Sequence, residues 1–215
     1  MVQSNHYHYP LDLKDHHCLS LDHHSNSKRP QGSLFNIMFT RLETPDTGDY
    51  TSFKELVLGA HFGWSYNNKA TPFMDNIKGH HDLSFYSHAF LHGPSHRHGL
   101  FSKANSEYLP NVESVIQQIF ELNNIKVDVV YRINANAVHP VEGNVLTVPH
   151  TDHEFPHKNM LIYLTNTGGD TIVFDEGGKK HHFTPVEDDI VVFEGLHCMV
   201  PPKRGRRVVI VVTYL

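Results

Sequence analysis

The alternation of apolar and polar positions changes character close to residue 124. Before that point, four stretches carry a readable period. LFNIMFTRLE (34–43) and DLSFYSHAFLHG (82–93) are rich in β-branched and aromatic residues and predict strands. TSFKELVLG (51–59) opens on Thr and Ser and stops on Gly, which predicts a short capped helix. LPNVESVIQQIFELNN (109–124) predicts the clearest helix, because Val112, Val115, Ile116, Ile119 and Leu122 fall on one face. Asn111 is its expected cap and Glu113 its expected first-turn acid; Ser114, three residues after Asn111, excludes a capping box.

After Asn124 the runs are short and β-branched: IKVDVVYRINANAV, NVLTVPH, NMLIYLTN, DTIVFDE, KKHHF, DDIVVFEG and RRVVIVVTYL. PVEG, NTGGD, EGGKK, TPVEDD and PPKRG separate them as turns. No fixed-period repeat occurs. The pattern predicts one domain in three stretches: a polar His-rich arm (1–34), a mixed α/β flank (35–124) and an antiparallel β core (125–215), either sandwich or barrel.

Composition adds limits. With 215 residues, 39% apolar and 19% charged, the chain suits an ordinary globular fold. A net charge of −5, with KRGRR (203–207) as the one basic cluster, gives no footprint for nucleic acid or an anionic membrane. Two cysteines, Cys18 and Cys198, make no disulfide framework, which favours a reducing compartment. MVQSNHYHYP lacks a basic n-region and an apolar core, and no stretch approaches ~20 apolar residues, so neither a signal peptide nor a membrane span is expected. A cytoplasmic protein is the expectation.

The unusual count is 20 histidines. The pairs His16–His17 and His23–His24 in the arm read as a solvated segment. At this abundance about one His-x-Asp pair arises by chance, and the chain has two: His80 with Asp82, and His150 with Asp152. Their downstream neighbours distinguish them. Residues two apart on a strand share a face, so His150 and Asp152 can point into one cavity. Forty-seven residues after His150, Gly195 turns the chain out of a strand and delivers His197. Two imidazoles and one carboxylate on one face of an octahedral ion make the facial triad of non-heme Fe(II) sites. A structural zinc site would be closed by a fourth ligand, usually Cys, and Cys198 is expected to face away from His197. His80 and Asp82 have no such sequel.

The ordered set YRINANAVHPVEG, PHTD, LIYLTN, TGGDTIVF, EDDIVVFEGLHCMV, GRRVVIV resembles the Fe(II)/2-oxoglutarate-dependent oxygenases, and within them the prolyl 4-hydroxylase-like group. The resemblance covers roughly residues 125–215. It implies a mainly β chain whose core is a double-stranded β-helix, or jelly roll, with the α/β flank before it. It implies His150, Asp152 and His197 as iron ligands, 2-oxoglutarate and O₂ as cosubstrates, and leaves room for ascorbate. An Arg nine or ten residues beyond the distal His would bind the distal carboxylate of 2-oxoglutarate in two-pronged fashion. Arg206 and Arg207 both qualify; the family's Gly-x-Arg pattern favours Arg207. Tyr163 would donate its hydroxyl to the same carboxylate, although Tyr-Leu-Thr-Asn departs from the family's Tyr-Leu-Asn. His139 falls near a cosubstrate-facing position of relatives, and Asn134 and Asn136 could line the cavity. Gly168 and Gly169 read as turn formers, with Asp170 and Thr171 structural.

The activity so implied is hydroxylation of a C–H bond, since Asp152 fills the place that halogenating relatives leave to a small residue. A prolyl, other amino-acid or peptide substrate follows from the resemblance. Two rivals share the barrel without the cosubstrate: a cupin-like metal-binding isomerase, and a non-catalytic jelly-roll binding module. An inward Arg on the last strand is useless to either. FGWSYNNKATPF, with Trp64, Tyr66 and Phe73, and HGPSHRHGLF are candidate lid loops, though those aromatics serve equally as packing residues. His96, Arg97 and His98 are expected to be solvated.

Overall fold

Arg207–Tyr214 is a run of β-branched residues in which every position is buried, so both of its faces must be covered by protein. The architecture follows from that demand. The computed structural model describes residues 38–69, 79–95, 99–143 and 145–215. In chain order these form β1 (Thr40–Leu42), α1 (Gly48–Leu58), β2 (Ser65–Asn67), β3 (His80–His81), β4 (Phe85–His92) and β5 (Lys103–Ala104). Then come α2 (Leu109–Leu122), β6 (Val130–Val138), β7 (Leu146–Thr147), β8 (Lys158–Tyr163), β9 (Thr171–Phe174), β10 (Lys180–Phe183), β11 (Ile190–Phe193), β12 (His197–Met199) and β13 (Arg207–Tyr214). The N-terminal arm, Phe73 and the His96–Arg97–His98 run lie outside the described residues.

The large sheet has the order β1-β11-β8-β13-β6-β4-β2, with β5 pairing β4. A smaller sheet, β10-β9-β12, forms the second layer, and β3 pairs β7 in parallel. The chain is mainly β, a jelly roll. The first half supplies β1, β2, β4 and β5 to the large sheet. From residue 38 onward the described residues form one compact unit.

Strand alternation divides the interior into two cores. Val208, Ile210, Val212 and Tyr214 of β13, with Met160 and Ile162 of β8, pack under Val57 of α1 and Val115, Ile116 and Ile119 of α2. The opposite parity, Val209 and Val211 with Leu161 and Tyr163, meets Val173 and Phe183 of the smaller sheet. Arg207 and Thr213 share that second parity, as do Arg132, Asn134 and Asn136 of β6 and Asn159 of β8 through their register partners.

Both helices form, with ends that differ from expectation. Helix α1 begins earlier, at Gly48, because Thr47 rather than Thr51 caps it and accepts from the Tyr50 N–H at 3.3 Å. Gly59 does stop it; a Cβ there would lie 3.0 Å from the Glu55 carbonyl. Helix α2 has Tyr108, not Asn111, at its N-cap, since Pro110 sits within the first turn. Glu113 therefore lies beyond the first turn. Leu122 is 44% exposed, and Phe120 takes its place in the core, its ring 5.0 Å from that of Tyr214. Asn124, with φ 53°, turns the chain out of the helix. Among the described residues no helix is long and apolar enough to cross a membrane.

Ile119 is fully buried between helix and sheet. Ile119→Ala should lower stability by about 3 kcal/mol through the cavity it leaves, and Leu122→Ala by less than about 0.5 kcal/mol. Urea denaturation followed by circular dichroism measures both, and equal losses would contradict this assignment of the helix face.

Candidate metal centre

His150 and Asp152 stand on the segment after β7, and His197 opens β12. The two histidines exchange main-chain hydrogen bonds, His150 N–H to the His197 carbonyl at 2.9 Å and the reverse at 3.0 Å. This isolated bridge brings together positions 47 apart in sequence and sets their rings 4.6 Å apart. The ligand atoms of His150, Asp152 and His197 all lie within 4.8 Å of one another, the only such trio among the described residues. His80 and Asp82 are not in the group, and neither is Cys198, which is buried at the register position of Ile172. Burial pushes the Cys198 thiol up to about 11.

Each imidazole is already oriented. His150 Nδ1 lies 3.1 Å from the Val148 carbonyl and His197 Nδ1 3.1 Å from the Gly195 carbonyl. A carbonyl only accepts, so Nδ1 carries the proton and Nε2 keeps its lone pair. Gly195, at φ 89°, makes the turn that presents this carbonyl. Burial lowers His197 to about 4, against the opposing pull of Asp152, so the ring is neutral at pH 7. Burial would raise the Asp152 carboxyl, but Arg132, then His197 and His150, outweigh it and hold the group well below the usual carboxylate range. A metal here would therefore meet a neutral His197 imidazole and an anionic Asp152 carboxylate, with no proton to displace from either.

Arg132 was not among the expected site residues. Its guanidinium Nη2 donates to Asp152 Oδ1, while Asp152 Oδ2 faces His197 Nε2 at 3.7 Å. The signal in the sequence is the alternation Arg132-x-Asn134-x-Asn136, polar on one face of a strand whose other face is Ile133, Ala135 and Ala137. Gly93 of the neighbouring loop leaves room for this wall: a Cβ there would come within 3.1 Å of His153 and 3.3 Å of Arg132. His153 Nε2 in turn lies 2.8 Å from Thr213 Oγ1, on the strand beside Arg132.

Towards the other end of the same interior wall sits Arg207, 4% exposed. Its Nη2 donates to Thr171 Oγ1 at 3.2 Å, and its guanidinium carbon lies 5.1 Å from the Tyr163 ring centre. Tyr163, itself fully buried, shares a 2.8 Å hydrogen bond with Thr171, and its phenol is pushed up by burial against the pull of Arg207. Arg207 forms no ion pair among the described residues, and its Nε has no hydrogen-bond partner. Thr171, expected as merely structural, is thus the hub of this cluster. Gly169 has a further reason beyond its φ of 92°: a Cβ would stand 2.8 Å from the Val200 carbonyl and 3.1 Å from Arg207 Cδ.

Arg206 points the other way, its guanidinium 5.6 Å above the Trp64 ring. Tyr66 is exposed and lies edge-on to Tyr86. His139, expected near the cosubstrate, is instead exposed against Tyr86, because β6 ends at Val138 and the interior parity belongs to the even-numbered positions. Asn134 and Asn136 line the interior, each with a buried Oδ1 lacking a partner among the described residues, and Asn159, between Thr213 and Phe193, likewise lacks partners there for both amide atoms.

No family model matches the sequence, and no curated protein matches it. Solved structures do match. A 2-oxoglutarate–Fe(II) oxygenase family oxidoreductase from Burkholderia pseudomallei aligns over 84% of this chain and 86% of its own, with TM-score 0.60 and 14% identity. A prolyl hydroxylase from Trichoplax adhaerens, solved with a peptide of the hypoxia-inducible factor oxygen degradation domain, aligns over 85% of each chain at TM-score 0.54 and 16% identity. The α-ketoglutarate-dependent non-heme epimerase SnoN of nogalamycin biosynthesis covers 83% of this chain and 77% of its own, at TM-score 0.52 and 13% identity. The chain therefore has the fold of the 2-oxoglutarate–Fe(II) oxygenases.

Proposed function

We propose that this protein is an Fe(II)- and 2-oxoglutarate-dependent oxygenase that hydroxylates a C–H bond. The observation that carries the reading is the pairing, on one interior wall, of a three-residue group able to ligate a metal with a buried arginine that has no ion pair among the described residues. His150 and His197 would hold Fe(II) through Nε2 and Asp152 through Oδ2. Imidazole and a single carboxylate suit Fe(II), and three protein ligands leave positions for other molecules.

Arg207 would bind the distal carboxylate of 2-oxoglutarate. A buried cation without an anion is costly, and a dicarboxylate arriving from the metal end supplies one. Thr171 and Tyr163 add hydroxyl donors at the same place. Between the two ends, the unpartnered Asn134 and Asn136 oxygens favour a polar occupant over an apolar one. When bound, the iron with 2-oxoglutarate and O₂ supplies the oxidation: the oxo acid leaves as succinate and CO₂, one oxygen atom entering succinate and the other the substrate carbon. The chain's residues orient these reactants and keep bulk water away.

For the substrate we favour a prolyl, other amino-acid or peptide group, supported by the fold shared with a prolyl hydroxylase solved with its peptide. A cupin-type isomerase or a non-catalytic binding module has no use for Arg207 in its present position.

Mixing the protein anaerobically with Fe(II) and 2-oxoglutarate should produce a weak visible charge-transfer band. Asp152→Ala should produce none. Arg207→Ala should weaken 2-oxoglutarate binding by about tenfold to a hundredfold, the worth of one charge-assisted contact, with Arg206→Ala close to wild type. A wild-type protein without the band would end this reading. An Arg206→Ala effect equal to that of Arg207→Ala would remove the anchor assigned here.

A further inference from the structure

A buried carboxylate held between a guanidinium and a neutral imidazole is an arrangement that needs a reason. Asp152 has Arg132 on Oδ1, and its Oδ2 faces the histidine nitrogens. If the carboxylate needed only a positive partner, the metal itself would supply one. A permanent guanidinium nearby opposes the approach of a divalent ion. Arg132 is also incompletely satisfied, since its buried Nε has no hydrogen-bond partner. Its position is nonetheless enforced: its register with Thr213 sets it on the interior face of β6, and Gly93 admits it beside His153. A cation is thus built into the wall beside the carboxylate.

We infer that Arg132 is a positioning residue that restricts Asp152 to one ligating oxygen, and so keeps free the metal position that a chelating 2-oxo acid needs. The inference rests on the oxygenase reading above. A carboxylate can bind a metal through one oxygen or two. With Oδ1 engaged by Arg132, only Oδ2 is available to the ion. A second oxygen from Asp152 would compete with the keto oxygen or the neighbouring carboxylate of the oxo acid. Arg132 then acts on cosubstrate chelation more than on metal retention, which separates it from a residue that merely neutralises a buried charge.

The test uses the full chain loaded anaerobically with Fe(II), or with Co(II) as an optical probe, and no turnover. Arg132→Met should retain the metal within about threefold of wild type but bind 2-oxoglutarate about tenfold more weakly or worse, the usual scale for a group supporting a ligand. Arg132→Lys, which restores a donor and the charge, should recover part of that loss. Succinate keeps a carboxylate for Arg207 but lacks the chelating oxo group, so its binding should be unchanged by either substitution.

On the unsubstituted protein, infrared difference spectra with ¹³C-labelled aspartate should show the widely split carboxylate stretches of a one-oxygen ligand. The narrow splitting of a two-oxygen ligand would overturn the inference whatever the variants do. A variant that loses metal while its loaded form binds 2-oxoglutarate normally would overturn it as well, and so would two variants indistinguishable from wild type. In each of these cases the oxygenase reading survives. Wild-type protein that binds neither metal nor 2-oxoglutarate would overturn both.

Discussion

Covering both faces of β13 is the constraint on which the remainder depends. A strand buried on one side can give its polar residues to water. β13 cannot, because all eight of its positions are buried. Its two parities must therefore be matched to two different environments, and its partners β6 and β8 are bound to the same division by register. A slip of one residue would drive Arg207 and Thr213 under the helices and turn Val208 and Ile210 toward the metal group. Register and chemistry are thus one decision here. The large apolar surface under α1 and α2 enforces it, and the polar wall inherits its position from that packing.

The wall so created carries two arginines in unlike circumstances. Arg132 has an acid against it, and Arg207 has hydroxyl and aromatic neighbours but no ion pair among the described residues. Burying unpaired charge is among the more expensive things a fold can do. At the metal end, the cost of the buried Asp152 anion is offset locally by Arg132. At the deep end nothing comparable offsets Arg207. The asymmetry separates the two groups: one is neutralised within the fold, the other is not paired by any described acid. It also accounts for the outward turn of Arg206, which finds the Trp64 face and solvent where its neighbour finds neither.

Much of this was legible in the chain because the informative residues sit at fixed spacings. His150 and Asp152 share a face by strand period, and Gly195 marks the turn before His197. Gly205 starts the register that sends Arg207 in and Arg206 out. What escaped reading depends on distant partners. β1 joins β11 through pairs such as Thr40 with Val192, and no local pattern announces a contact of that range. Thr171 reads as a turn residue until Tyr163 and Arg207 are seen against it. Arg132 hid in a strand whose polar parity resembles a solvent face, when that side in fact faces Asp152 in the interior. His139 lies one residue past the strand end, where alternation no longer sets which face its side chain takes.

The same barrel serves a prolyl hydroxylase and an epimerase among the matched structures, so the fold does not decide what happens to a substrate. Beside the candidate metal group in this chain, away from Arg207, stands a cluster of rings. His153 stacks on Phe155 at 4.6 Å, and Tyr131 meets Phe155 edge-on at 4.8 Å. His157, 8% exposed, closes against His153 with its Nε2 unpartnered. These rings lie within five residues after Asp152 or sit next to Arg132, so they are tied to the metal ligands by chain and by strand. Substitutions among them would also press on the Asp152 carboxylate and its Arg132 partner. Residues 152–157 thus tie a cluster of rings to one member of the candidate metal-ligating group.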